Sequence, residues 1–190
     1  MRSSELIDPD LRGKLVAIYE ELMWLAQRPN VSAGNARAWY THIMSETVKR
    51  KLRRFTGKVS TAAAESESAI LRLEHYKRIQ TTLTGLVERH RKLKKPNPDE
   101  FIRVLVDCER VHIVTFEENY AATRAGGDYG KAGIQLKPWR SLSQERRTTL
   151  WKKMLRGKVA NANAFAPGRK EEPNPTVERD ARKSGARPSL

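Results

Sequence analysis

Leu11, Leu15, Ile18, Leu22 and Leu25 follow one another at alternating spacings of four and three, which marks one apolar seam of an α-helix. Asp8-Pro9-Asp10 supplies its start: a capping side chain, a proline in the first turn and an acid at the positive end of the helix dipole. Pro29 ends it. Ser32 or Asn35 can cap a second helix, whose apolar positions are Tyr40, Ile43, Met44, Val48, Leu52 and Phe55, with Gly57 suited to the residue just past its end. The short link between the two predicts an antiparallel helix hairpin. A third, long helix is expected over 66–93, with Leu73, Tyr76, Ile79, Leu83, Leu86, Val87, His90 and Leu93 in one stripe. Lys94-Lys95-Pro96 closes it. Asn97-Pro98-Asp99-Glu100 opens a shorter helix that turns Phe101, Val104, Leu105 and Cys108 inward.

The pattern then changes period. Val111-His112-Ile113-Val114-Thr115 is short and β-branched, a strand signature. Thr115 followed by Glu118 forms a capping box, so a helix should begin at once and run to about Arg124, ending at Gly126-Gly127. Residues 133–139 alternate Ile134 and Leu136 and stop at Pro138, a second strand. Ser143 caps a last helix with Leu150, Trp151, Met154 and Leu155 apolar, ended by Gly157. The fold class expected is mainly α (α+β): one helical domain over 5–165 with the antiparallel hairpin, one long helix and a small two-stranded β element. Residues 166–190 are proline-rich, mixed in charge and almost free of apolar groups, and are expected to be disordered.

Charge alters the picture from fold to partner. The formal net charge is +15 with 31% charged residues. The tail holds six Lys and Arg against four Asp and Glu, so the body keeps +13. Three clusters carry this excess. The first is Lys49, Arg50, Lys51, Arg53, Arg54 and Lys58, the second Arg89, Arg91, Lys92, Lys94 and Lys95. The third is Arg146, Arg147, Lys152, Lys153, Arg156 and Lys158. A helix C-terminus favours one or two cations by about 0.3–1 kcal/mol each; five or six imply an acidic partner. The expected partner is nucleic acid, DNA ahead of RNA, gripped without catalysis in a regulatory or accessory role that would suit a phage or mobile element. An inhibitor acting on a nucleic-acid enzyme is an alternative. Membrane is not expected as a partner, because the basic helices lack a wide apolar face, and no apolar run approaches about 18 residues. The single cysteine, Cys108, permits no intrachain disulfide and suits a cytoplasmic setting.

The stretches 55–64 and 155–164 both run through Gly-Lys-Val into small residues, read here as two basic helix corners. Gly57, Lys58, Val59, Ser60, Ala62 and Ala63 resemble the opening of the first helix in bacterial helix-turn-helix regulators. Ser66, Ala69, Ile70 and 71–74 would then stand where such regulators have a recognition helix. The resemblance covers under twenty residues, and Ala64-Glu65-Ser66 leaves the intervening turn about four residues short.

Catalytic signatures are sparse. No phosphate-cradling glycine loop, zinc spacing or Ser-His-Asp order occurs, so no cofactor or metal is expected. A metal-dependent nuclease around His112, with Glu117, Glu118 and Asp128 nearby in sequence, is the enzymatic alternative. Glu74-His75 is a second candidate pair, although neighbouring helix positions diverge by about 100°, and Glu74 finds an ordinary i,i+4 partner in Arg78. Among the aromatics, Trp24 and Trp139 are expected in the core.

Overall fold

The computed structural model describes residues 7–168; the expected tail falls outside them apart from 166–168. Helix α1 (Pro9–Ala26) begins at Asp8 as expected, and α2 (Ala33–Ile43) is capped by Ser32, whose side chain accepts from Asn35 N. The two pack as the expected hairpin. The second helix does not continue to Phe55. Ser45 caps a separate α3 (Glu46–Leu52), and the chain then extends into β1 (Arg54–Ser60). A five-residue α4 (Thr61–Glu65) leads to β2 (Leu71–His75). Helices α5 (Ile79–Leu93) and α6 (Pro98–Cys108) follow, then β3 (Arg110–Thr115) and α7 (Phe116–Arg124) with its complete capping box. The short β4 (Leu136–Pro138) precedes α8 (Gln144–Leu150), which continues into a wider π-turn over Trp151–Leu155.

The strands form one four-stranded mixed sheet in the order β2-β3-β1-β4, an α+β fold in place of the expected helical domain with a two-stranded element. Strand β3 runs parallel to β1 and antiparallel to β2, while β4 is antiparallel to β1. The long helix over 66–93 is therefore two elements. Leu71 and Leu73 alternate as a strand and pair with Thr115 and Ile113. The helix-turn-helix resemblance falls with it, because both 57–60 and 71–74 are strand.

Gly57 ends no helix. It lies inside β1 with φ of 78°, a conformation that glycine adopts freely. Between Phe55 and Val59 the strand advances four residues while its partner advances two, from Val111 to Ile113, so Gly57 sits in a bulge. Phe165 packs on the bare face of Gly57.

There are two cores. One is helical, with Leu15, Leu22, Tyr40, Leu83, Leu86, Phe101 and Leu105 fully enclosed. The other lies on one face of the sheet, where Phe55, Val59, Val111 and Ile113 meet Trp139, Leu150 and Leu155. Central strand β3 is buried along 111–115 on both faces of the sheet, which fits its β-branched residues on either side of His112. Trp139 is core as expected, whereas Trp24 is 56% exposed and is capped by the Arg28 guanidinium 3.7 Å from its ring.

The outer edge of β1 is shared. Strand β4 pairs with Lys58–Ser60 only. Beside 53–55 the edge is closed by the loop after the π-turn: Ala160 N donates to Arg53 O at 2.8 Å, and Asn161 accepts from Phe55 N and donates to Phe55 O, each at 2.9 Å. The two Gly-Lys-Val stretches are thus neighbours in space, each serving the same strand edge.

Candidate nucleic-acid interface and adjoining cleft

Seen from β1, the three basic clusters separate into two groups. Arg54 and Arg110 are direct partners across the parallel pair, and Tyr76 N donates to Arg110 O. The end of β2, the starts of β3 and β1, and the 156–160 loop therefore stand side by side across about 14 Å, three strand spacings. Arg54, Lys77 and Arg110 lie at this end of the sheet, with Arg156 and Lys158 on the loop beside it, where Lys158 Nζ donates to Lys153 O at 2.9 Å. Asp107 holds part of the rim: it accepts from Tyr76 Oη at 2.7 Å and Lys77 Nζ at 2.6 Å, and Arg110 lies 3.6 Å away. These cations hold the Asp107 carboxyl below its ordinary range against the opposing effect of burial. Lys77 and Arg110 belong to no expected cluster; neighbouring acids hid them in the sequence.

The second cluster lies elsewhere. The fifteen residues of α5 carry its C-terminal end about 22 Å from its own start at Ile79. There Arg89 pairs with Glu100, Arg91 donates to Val31 O, Lys92 meets Glu88, and Lys94 caps the helix in the left-handed conformation. Lys95 is exposed. His90 beside them is a core histidine. Its Nε2 donates to Glu100, and Tyr19 Oη, itself accepting from Asn97 N, donates to its Nδ1.

Within the first cluster, Lys49 and Arg53 turn inward, while Arg50, Lys51 and Lys58 stay exposed. In the third, Arg146 is structural: it donates to Ala63 O at 2.7 Å and to Ser66 O. Arg147 bonds Gln144. Lys152 and Lys153 remain exposed, and Arg156 lies over the Trp151 ring at 5.8 Å.

The enzymatic candidates occupy different surroundings. His112 is 6% exposed. Its Nδ1 is 2.5 Å from Thr56 Oγ1, which in turn donates to Val111 O, so the neutral Nδ1–H form completes the chain of hydrogen bonds. Burial, reinforced by Lys58 and Arg110, pushes its pKa down to about 4. Glu118 is occupied by the capping box and by Ser60 Oγ. Glu74 pairs with His112 across the strands, and burial raises its carboxyl. Among the described residues no three His, Cys, Asp or Glu side chains form a set that could hold a metal.

Glu74 and His75, on a strand and not a helix, both border a cleft of about 310 Å³ between the helical core and the sheet end. Helix α2 contributes Arg37 and Tyr40, and α3 contributes Glu46 and Lys49. Arg53 and Glu109 come from the entries to β1 and β3. Arg78, Ile79 and Gln80 join the lining from the start of α5. Glu109, 1% exposed, lies 3.3 Å from His75 Nε2 and 3.6 Å from Arg53 Nε. Arg78 reaches Ala122 O at 2.8 Å by crossing Gly127, where an added Cβ would meet its Cγ at 3.1 Å. Tyr40 reads as an apolar helix position in the sequence, and Arg37 carries no local signal, so this cleft was invisible there.

The chain matches no protein-family model, and neither curated proteins nor solved structures include a significant match to it. Among the described residues no helix is long and apolar enough to cross a membrane.

Proposed function

We propose that the protein binds the phosphate backbone of nucleic acid, DNA ahead of RNA, without catalysis, in a regulatory or accessory role in the cytoplasm. The observation that carries this reading is the hydrogen-bonded seam between 53–55 and 160–161. It brings the backbone of the first and third clusters together, next to the strand start that carries Arg110. Side-chain contacts of this kind fix position on the backbone and do not read bases.

Gel-shift titration of the full chain with duplex DNA and with RNA of the same sequence tests the reading. Four or five phosphate contacts give log K against log salt a slope of about −4. Changing Arg54, Arg110, Arg156 and Lys158 together to glutamine should flatten that slope to near zero. Absence of binding at low salt, or an unchanged slope in the variant, overturns it.

A further inference from the structure

Three buried polar atoms of the residues lining the cleft lack a hydrogen-bond partner among the described residues, Arg37 Nε, Tyr40 Oη and Arg78 Nε, and a fourth, Arg53 Nε, has only the Glu109 carboxylate at 3.6 Å. Every one of them can donate. Tyr40 is 2% exposed, and its phenol is pushed far above its ordinary range by burial, so it remains an O–H donor at any working pH. Buried donors left unmatched are costly, and native proteins keep few of them.

The same cleft receives the start of α5. Arg78 caps this helix with no side-chain hydrogen bond, and its first turn holds no acid. By contrast Asp8, Ser45, Asn97, Thr115 and Ser143 cap α1, α3, α6, α7 and α8. No side chain therefore caps the first N–H groups of α5, and Arg78, Ile79 and Gln80 at this end of the helix border the cleft. A helix N-terminus favours negative charge and presents N–H groups to it.

From these two independent features we infer that the cleft binds a phosphate group, as a phosphomonoester or as inorganic phosphate. Arg37 and Tyr40 of α2 and Arg78 at the start of α5 all line the cleft. A monoester offers three terminal oxygens to several donors, whereas a backbone diester offers two. Arg37, Lys49, Arg53 and Arg78 face Glu46, Glu74 and Glu109 across the cleft, a net +1 with all three carboxylates ionised. Burial raises the Glu74 carboxyl above its ordinary range. The volume is at the small end of ligand pockets, about 300–1,000 Å³, and suits a phosphate or a mononucleotide end.

The test is calorimetric titration of the full chain with inorganic phosphate, with adenosine monophosphate, and with one oligonucleotide carrying either a 5′-phosphate or a 5′-hydroxyl. Equal binding of phosphate and monophosphate identifies free phosphate as the ligand; a preference for the 5′-phosphorylated oligonucleotide identifies a nucleic-acid end. Tyr40→Phe, which removes only the unmatched hydroxyl, should weaken the phosphate ligands about tenfold or more while leaving the fold as stable as before or more so. Arg37→Lys keeps the charge, removes Nε–H and should act in the same direction. No binding by any phosphate ligand, or binding that both variants leave unchanged, overturns the inference. Affinity for the 5′-hydroxyl oligonucleotide reports the basic rim alone and separates the failure of one site from that of the other.

Discussion

His112 gives the sharpest check on the structure. Its pKa of about 4 in the folded chain stands against an ordinary value of 6.5, so between these pH values the unfolded chain holds one proton more than the folded one. Stability therefore rises with pH in that window, by about 1.4 kcal/mol per unit. The contribution is fully present above pH 6.5, and roughly 3 kcal/mol of it is lost on descending to pH 4. Glu74, its cross-strand neighbour, acts in the opposite sense: a raised carboxyl gains stability as pH falls. The comparison that isolates His112 is His112→Asn, which keeps a donor for Thr56 and cannot titrate, measured with and without Glu74→Gln. Urea denaturation followed by tryptophan fluorescence at half-unit pH steps gives each slope. Wild type and the Asn variant should diverge between pH 6.5 and 4 and run parallel above. Parallel curves throughout would mean that His112 is hydrated and that Thr56 does not hold it.

Three further outcomes follow from particular contacts. Arg146→Ala leaves the carbonyls of Ala63 and Ser66 unmatched and should destabilise the chain by roughly 2–4 kcal/mol in chemical denaturation, with the salt slope of polynucleotide binding unchanged. Asn161→Ala removes both bonds to Phe55; a loss of about 1–3 kcal/mol should come with weaker binding to duplex DNA, because the 156–160 loop loses its anchor. The Cys108 thiol, buried and pushed up to about 11, should resist iodoacetamide in the native protein at pH 8 and react only as fast as the chain unfolds, which mass spectrometry of timed aliquots will report.

The helices were legible where their signals are local. Caps at Asp8, Ser32, Asn97, Thr115 and Ser143 act within three residues and are written in the sequence. Strand β3 was legible because four of its five residues from Val111 to Thr115 are β-branched, a bias that is read without knowing the partner strand. Strands β1 and β2 were not. Phe55 and Val59 are four apart, a spacing that puts two residues on one face of a helix and also of a strand. Leu73, Tyr76 and Ile79 continue the α5 stripe by accident of spacing three, although β2 ends between them. What decides for extended chain is pairing with β3, tens of residues later. The basic clusters were visible as composition, but their sharing out was not. Only tertiary contacts show that Arg146 stitches a loop, that Arg89 is taken up by Glu100, and that Arg54 and Arg110 are strand partners.

The closure of the β1 edge also sets an order of assembly. Phe55 waits for a partner 106 residues further along the chain. During vectorial synthesis, or in any chain cut short of Ala160, part of that strand offers bare N–H and C=O groups to whatever extended peptide it meets. Incomplete chains should therefore tend to clump, and the short loop at Ala160-Asn161 acts as the latch that makes the sheet safe to leave in solution.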